Sequence, residues 1–290
     1  MTKDQRQSFL LRSGAWASVS VAVILSVLKL VAWKQSDSVS LFSSLLDSIL
    51  DGFASVVNLL AVHWALKPAD DDHRFGHGKV ENLAGLVQSG FIAASALFLF
   101  YESIERFFNP REIENSEWAV AVMGVSIVLT LFLVFYQRYV ISHTASAAIE
   151  ADSLHYVTDL LMNIATIVAI VLASSFGWLW VDALFALLIA FYILKSAWEI
   201  GAESFQVLMD QEISTEKRDK MIQIILASDE VSSFHSLRTR RVGSQIFLQA
   251  DLEMCGRLSL EKAHELGDLI EDGLEEAFPG IDVTLHFDPI

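Results

Sequence analysis

Ser44–Leu60 reads SLLDSILDGFASVVNLL, and two aspartates, Asp47 and Asp51, stand four residues apart in it. The rest of the stretch is apolar or small, and Val39–Leu66 as a whole is long enough to cross a membrane. About 30 Å of hydrocarbon takes ~20 residues of helix. A carboxylate at the centre of a bilayer costs about 2.5–3.5 kcal/mol on insertion scales. Positions i and i+4 share one helix face, so Asp47 and Asp51 lie on one side, with Ser44, Ser48, Ser55 and Asn58 on or near the same stripe. A narrow polar seam of this kind faces a bundle interior or a water path, not lipid.

Working outward, five more apolar windows appear: about Ser13–Trp33, Val80–Phe107, Trp118–Ile141, Ala148–Ser175 and Trp178–Ala202. The chain has 290 residues, 53% of them hydrophobic, and a mean hydropathy of +0.45. The expected fold is an α-helical membrane protein with six transmembrane helices, followed by a small α+β domain. The expected domains are residues 1–208, six spans in the membrane, and 209–290, the α+β tail. The net charge of −16 argues against nucleic acid as a partner. The single cysteine, Cys255, has no intrachain disulfide partner. The N-terminal stretch lacks an A-x-A cleavage site after a short apolar core, so the first apolar run reads as a retained helix.

An even number of spans puts both termini on one side. That side would carry Lys3, Arg6, Arg12, Lys67, Arg74, Lys79 and Arg138, against Lys34, Arg106 and Arg111 on the other. The lysine and arginine bias places the termini in the cytoplasm.

The tail reads as helix, strand, strand, helix, strand. Met221, Ile222, Ile225 and Leu226 fall on one face of its first helix, and Gly243–Ser244 marks a hairpin. In the second strand Ile246, Leu248, Ala250 and Leu252 alternate with Phe247, Gln249, Asp251 and Glu253. Ser259 is the expected N-cap of the second helix, which stops at Pro279–Gly280.

The fifth window repeats the device of the second. His155 and Asp159 are four apart, and Asp152, Asn163 and Thr166 continue the face. If the two seams meet, three carboxylates and one imidazole surround a point, where a divalent cation relieves their repulsion. Three oxygens and one nitrogen suit tetrahedral Zn²⁺, and the absence of thiolates leaves Mn²⁺ and Fe²⁺ open. The alternative is a polar glue between helices, at roughly 0.6 kcal/mol per hydrogen bond. Serine or asparagine would do that at lower cost than three aspartates, so the metal reading is preferred.

Asp-x-x-x-Asp in the second span and His-x-x-x-Asp in the fifth resemble the cation diffusion facilitator family. The resemblance covers nearly the whole chain. Within the family it is to bacterial zinc, cadmium and ferrous-iron efflux pumps, and HRFGHGKVENLAGL (His73–Leu86) is similar to the family's stretch between spans two and three. The resemblance implies Asp47, Asp51, His155 and Asp159 as the transport site. The aspartate–histidine pairing is the pattern linked to zinc and cadmium.

Asp70, His73 and His77, with Asp71 and Asp72 beside them, read from spacing alone as a solvated charged loop or a divalent-ion site; the resemblance implies the site. It likewise implies a cytoplasmic metal site at His235, Asp251, His264, His286 and Asp288, residues on different expected elements. Asp251 stands where a histidine is expected and Phe287 where a glutamine is. The resemblance also implies a charge interlock of Lys79 with Asp210, and a homodimer. His63 is read as an interfacial residue with no metal role.

The expected function is efflux of a divalent metal, Zn²⁺ first, with Cd²⁺, Fe²⁺ or Mn²⁺ as alternatives. It would run in exchange for protons by alternating access in the inner membrane, among lipid. A metal-sensing membrane protein that moves nothing is the alternative. An enzyme is not expected: no His-Glu-x-x-His motif and no nucleophile–base pair occurs. No phosphate-binding loop of the Walker type is present either.

Overall fold

A computed structural model describes residues 3–36, 39–108, 117–176, 178, 180–243 and 245–290. Arg111 and Ser244 lie outside the described residues. Six long helices come first: α1 Lys3–Ser36, α2 Val39–Ala65, α3 Lys79–Phe108, α4 Glu117–Thr144, α5 Ala147–Phe176 and α6 Trp180–Leu208. Then follow α7 Thr215–Ile225, β1 Val231–Val242, β2 Gln245–Met254, α8 Leu260–Ala277 and β3 Ile281–Pro289. Among the described residues five helices (α1–α4 and α6) are apolar enough over a long enough span to cross a membrane. α5 is 30 residues long and completes the six. α1 starts ten residues before its apolar window and α6 runs six beyond its own. At about 1.5 Å per residue, such helices outreach the hydrocarbon.

The chain divides into two compact units, 1–68 with 80–205, and 69–79 with 206–290. In the first, α1 packs against α2 and α4, and α4 against α5. Leu10, Ala15, Val62, Val140 and Ile149 form one cluster there. A second joins Ile92 and Ala96 of α3 to Ala151 and Leu154 of α5 and Ile193 and Ala197 of α6. α3 and α6 approach closely through small residues: a Cβ on Gly201 would lie 2.8 Å from Ser89 Oγ. Phe53, Phe91, Phe132 and Trp198 are exposed, each more than two-thirds, as lipid-facing side chains are. Between α4 and α5 the chain turns at Ala145, whose φ is 51°. Ser146 then caps α5, its Oγ accepting from Ile149 N at 3.2 Å and donating to the Glu81 carboxylate.

In the second unit β2 lies between β1, antiparallel, and β3, parallel. The parallel pair is joined by α8, as such a pair requires. Leu248, Ala250, Leu252 and Met254 point into a core with Met221, Ile225, Leu266, Ile270 and Leu274. Ser259 caps α8, its Oγ accepting from Lys262 N at 3.2 Å. Leu226 departs from expectation. It is the C-cap residue of α7, beyond the last helical turn, and is 45% exposed.

Candidate metal centres

The polar seam of α2 points inward: Ser48, Ser55 and Asn58 are almost fully buried. It meets α5, where His155 and Asp159 share a face. His155 Nε2 lies 2.7 Å from Asp51 Oδ1 and 3.9 Å from Asp159 Oδ2. All three residues offer a ligand atom within 4.8 Å of one another. His155 Nε2 is nonetheless buried without an aligned hydrogen bond. A ring nitrogen held among carboxylate oxygens, 2.7 Å from one of them, is the kind of ligand set a divalent cation takes. Asp47 differs from the four-ligand expectation. It stands one turn from Asp51, about 6 Å along the axis, and offers no oxygen to this cluster. It does line the adjoining cavity of about 150 Å³, with Asp51, Asp159 and Asn163.

Asp152, on the expected face, belongs to a different network. It is fully buried. Gln137 Nε2 donates to its Oδ2 at 2.8 Å and to Ser18 Oγ at 3.0 Å, and Ser55 Oγ donates to its Oδ1 at 3.3 Å. Tyr156 OH, 3.0 Å from Ser55 Oγ, reaches Ser18 O at 3.2 Å. These bonds pin α1, α2, α4 and α5 together and so fix how α5 presents His155.

One group in the cavity was not legible as a site residue. Lys29 of α1 shares the lining with the three carboxylates, its Nζ donating to Ser48 Oγ at 2.5 Å and Ser44 O at 3.2 Å. The signal was there: a lone lysine inside VILSVLKLVAW, the middle of an apolar window.

The loop 69–79 belongs to the second unit. Asp70 Oδ1 accepts from His73 N at 2.7 Å and from Asp72 N at 3.1 Å. This Asx turn brings His73 Nδ1 to 3.4 Å from Asp70 Oδ1 and His77 Nε2 to 3.3 Å from Asp70 Oδ2. The backbone N–H of His73, ahead of the two imidazoles, holds the Asp70 carboxyl below its usual range. His77 Nδ1 is buried and unbonded. Asp71 is taken up by Arg74 at 2.8 Å, and Asp72 is exposed outside the cluster. The loop is seated on the β1–β2 hairpin. Phe75 packs edge-on against Phe247 at 5.4 Å, Arg240 lies 4.3 Å over Phe75, and Gly78 abuts Gly243.

In the tail, register explains the geometry. Asp251 of β2 pairs with His235 of β1 and with His286 of β3, so the three form a row across the sheet. A bulge between His235 and Arg238, with Ser236 at φ 55°, aims His235 along the row. His235 Nδ1 is 3.3 Å from Asp251 Oδ2 and its Nε2 is 3.1 Å from Asp288 Oδ2. These three come together. His286 stays at the edge, 71% exposed, with Nε2 3.3 Å from Asp288 Oδ1. His264 is not brought in: it sits on α8 beside Asp268, at 3.5 Å. Strand alternation turns Phe287 to the opposite face, against Gly267, so a glutamine there would not face the row. Lys79 Nζ meets Asp210 Oδ1 at 2.8 Å within this one chain, and Arg240 approaches the same carboxylate at 3.7 Å.

The comparisons agree along the whole length. Residues 15–209 match the family model described as the cation efflux transmembrane domain, and 213–290 that of the cation efflux protein cytoplasmic domain. The chain is 43% identical over 290 residues to the cation-efflux pump FieF of Shewanella oneidensis, covering 100% of this chain and 98% of that one. It is 44% identical over 280 residues to the pump of the same name in Serratia proteamaculans, covering 97% and 93%. A solved structure, the metal-bound C-terminal domain of the CzcD transporter from Thermotoga maritima, is 33% identical over 27% of this chain and 94% of that one, with a TM-score of 0.24.

Proposed function

Because this chain belongs to the cation efflux family, whose members are transporters and not enzymes, we propose that it exports a divalent metal, Zn²⁺ first, in exchange for protons. The observation that carries the reading is the meeting of Asp51, His155 and Asp159 beside an open cavity. Cd²⁺, Fe²⁺ and Mn²⁺ are the competing cargoes. Asp47, one turn away on the cavity wall, supplies the fourth ligand when the helices close on the ion.

Metal binding needs deprotonated ligands and so releases protons. His155, between two carboxylates, is the proposed proton carrier. Alternating access then turns proton entry into metal exit. We place both termini in the cytoplasm of a cell whose inner membrane holds the protein. Residues 1–208 carry the ion, and 209–290 regulate and join two copies. Asp70, His73 and His77, and the row around His235, Asp251 and Asp288, then hold metal that regulates flux, with His264 and His286 drawn in from the rim. Lys79 and Asp210 form the charge interlock at the interface of two copies.

The test is metal uptake into proteoliposomes by the wild type and by Asp51→Ala, His155→Ala and Asp159→Ala. Loss of flux in folded variants supports the reading. Wild-type flux in both aspartate variants contradicts the site, and metal binding without any flux in the wild type points to a sensor.

A further inference from the structure

The transport cavity contains a charge that the carboxylate and histidine pattern does not supply. Lys29 enters it from α1, and its ammonium is held on α2 by Ser48 Oγ and Ser44 O. Ser48 lies between Asp47 and Asp51 in sequence, so the tether and the ligands ride on one helix. Ser26 Oγ, a turn before Lys29, donates to Ser48 O at 3.2 Å and holds the two helices together there. Lys29 shares the cavity lining with Asp47, Asp51 and Asp159. A lysine free to snorkel would run its stem toward the membrane surface; this one ends at the wall of the cavity.

We propose that Lys29 is a specificity-determining residue of the transport site, a built-in cation that matches the site's charge to a divalent ion and keeps binding weak enough for release. The proposal rests on the reading of Asp47, Asp51, His155 and Asp159 as the metal ligands. Three carboxylates and one ammonium leave two negative charges, which one divalent ion cancels. Without the ammonium the three carboxylates would overbind a divalent ion and suit a trivalent one. The tether adds a second feature. Ser48 holds the ammonium against the wall, close enough to repel the incoming ion and short of a direct salt bridge that would block the ligands.

The experiment uses the full chain in proteoliposomes, with Zn²⁺ flux measured against concentration and La³⁺ as a trivalent inhibitor. Lys29→Met should lower KM for Zn²⁺ by about tenfold, the effect of about 1.4 kcal/mol of lost charge repulsion. It should lower Vmax in parallel, and inhibition by La³⁺ should strengthen by a similar factor. Lys29→Arg, which keeps the charge, should restore wild-type KM and La³⁺ sensitivity. Ser48→Ala should act in the opposite direction. The freed ammonium pairs with the carboxylates, and KM rises about fivefold, the effect of one hydrogen bond.

A purely structural lysine would lower Vmax with KM unchanged, and that result in Lys29→Met would overturn the proposal. If Lys29→Met does not fold, Ser48→Ala decides: an unchanged or lowered KM overturns it. Wild-type flux in Asp51→Ala, measured alongside, would mark failure of the site reading itself and not of the role of Lys29.

Discussion

Replacing Gly78 by alanine should unseat the loop 69–79, the proposed metal site. The added Cβ would lie 2.7 Å from Gly243 N and 2.9 Å from both Gly243 Cα and Val242 C. The shortest of these is about 0.8 Å inside the optimal heavy-atom separation of ~3.5 Å. All three atoms are backbone, and Gly243 closes its turn at φ 61°, so no side chain can swing away. Overpacking of this kind costs about 1–3 kcal/mol. The loop is otherwise held by the Phe75–Phe247 edge contact and the Arg240–Phe75 contact, each worth about 0.5–1.5 kcal/mol. Ordering the loop offsets most of that hold, so nearly all of the overpacking cost appears as time spent off the hairpin. His77, whose side chain is 10% exposed when seated, then loses its fixed place beside Asp70. At 1.4 kcal/mol per decade, loop affinity for zinc should fall about five- to a hundredfold. The assay is a zinc titration of the full chain in a background carrying Asp51→Ala and His235→Ala, which weakens the other centres. Phe75→Ala should show a smaller loss of the same sign. Wild-type zinc affinity in Gly78→Ala, within twofold, would refute the idea that the hairpin seat organises the loop.

Ser259→Ala removes the α8 cap and should destabilise the C-terminal domain by about 1 kcal/mol, lowering its thermal midpoint by about 4–8 °C; an unchanged midpoint would contradict the cap. Asp251→Ala takes one of two carboxylates from His235 and should weaken zinc binding by residues 209–290 by at least the ~10-fold that loss of an outer-shell partner brings, as read by isothermal titration; equal affinity would place the ion elsewhere. Because the Asp70 carboxyl sits below its usual range in the folded loop, its contribution is present above the unfolded value of about 3.9. That contribution disappears as pH falls through the lower folded value. The Asp70 ligand should therefore stay in its carboxylate form on acidification from pH 7 toward about 3.9. A zinc titration of an Asp70→Asn variant that keeps wild-type loop affinity across that window would contradict its role as a ligand.

Much of this was legible in the sequence because the physics is local. The i,i+4 pairs Asp47/Asp51 and His155/Asp159 could be placed on helix faces from spacing, and Asp51, His155 and Asp159 meet, whereas Asp47 is exposed on the cavity wall. Ser259 and the alternation Leu248, Ala250, Leu252 follow from capping and strand period. What escaped depends on contacts distant in sequence. Lys29 is one lysine in an apolar run, and its meaning appears only when α1 meets Ser48. Asp152 shares a face with His155 on paper, yet Gln137 of α4 claims it. The loop seat needs Gly78 against Gly243, 165 positions on. His264 follows the family pattern but lies beside Asp268 on α8. Leu226 keeps the helical period past the end of its helix, and periodicity cannot mark that end.

The central claim is that metal leaves in exchange for protons at Asp51, His155 and Asp159. Vesicles reconstituted with the wild type, an imposed pH gradient and an impermeant zinc dye measure this most directly. Zinc should move against its own gradient when protons run the other way, reverse when the pH gradient is reversed, and bind less tightly as pH falls. Zinc flux that keeps the same rate and endpoint with the gradient imposed, reversed or collapsed, with pH-independent affinity, would contradict proton exchange and leave simple facilitated diffusion.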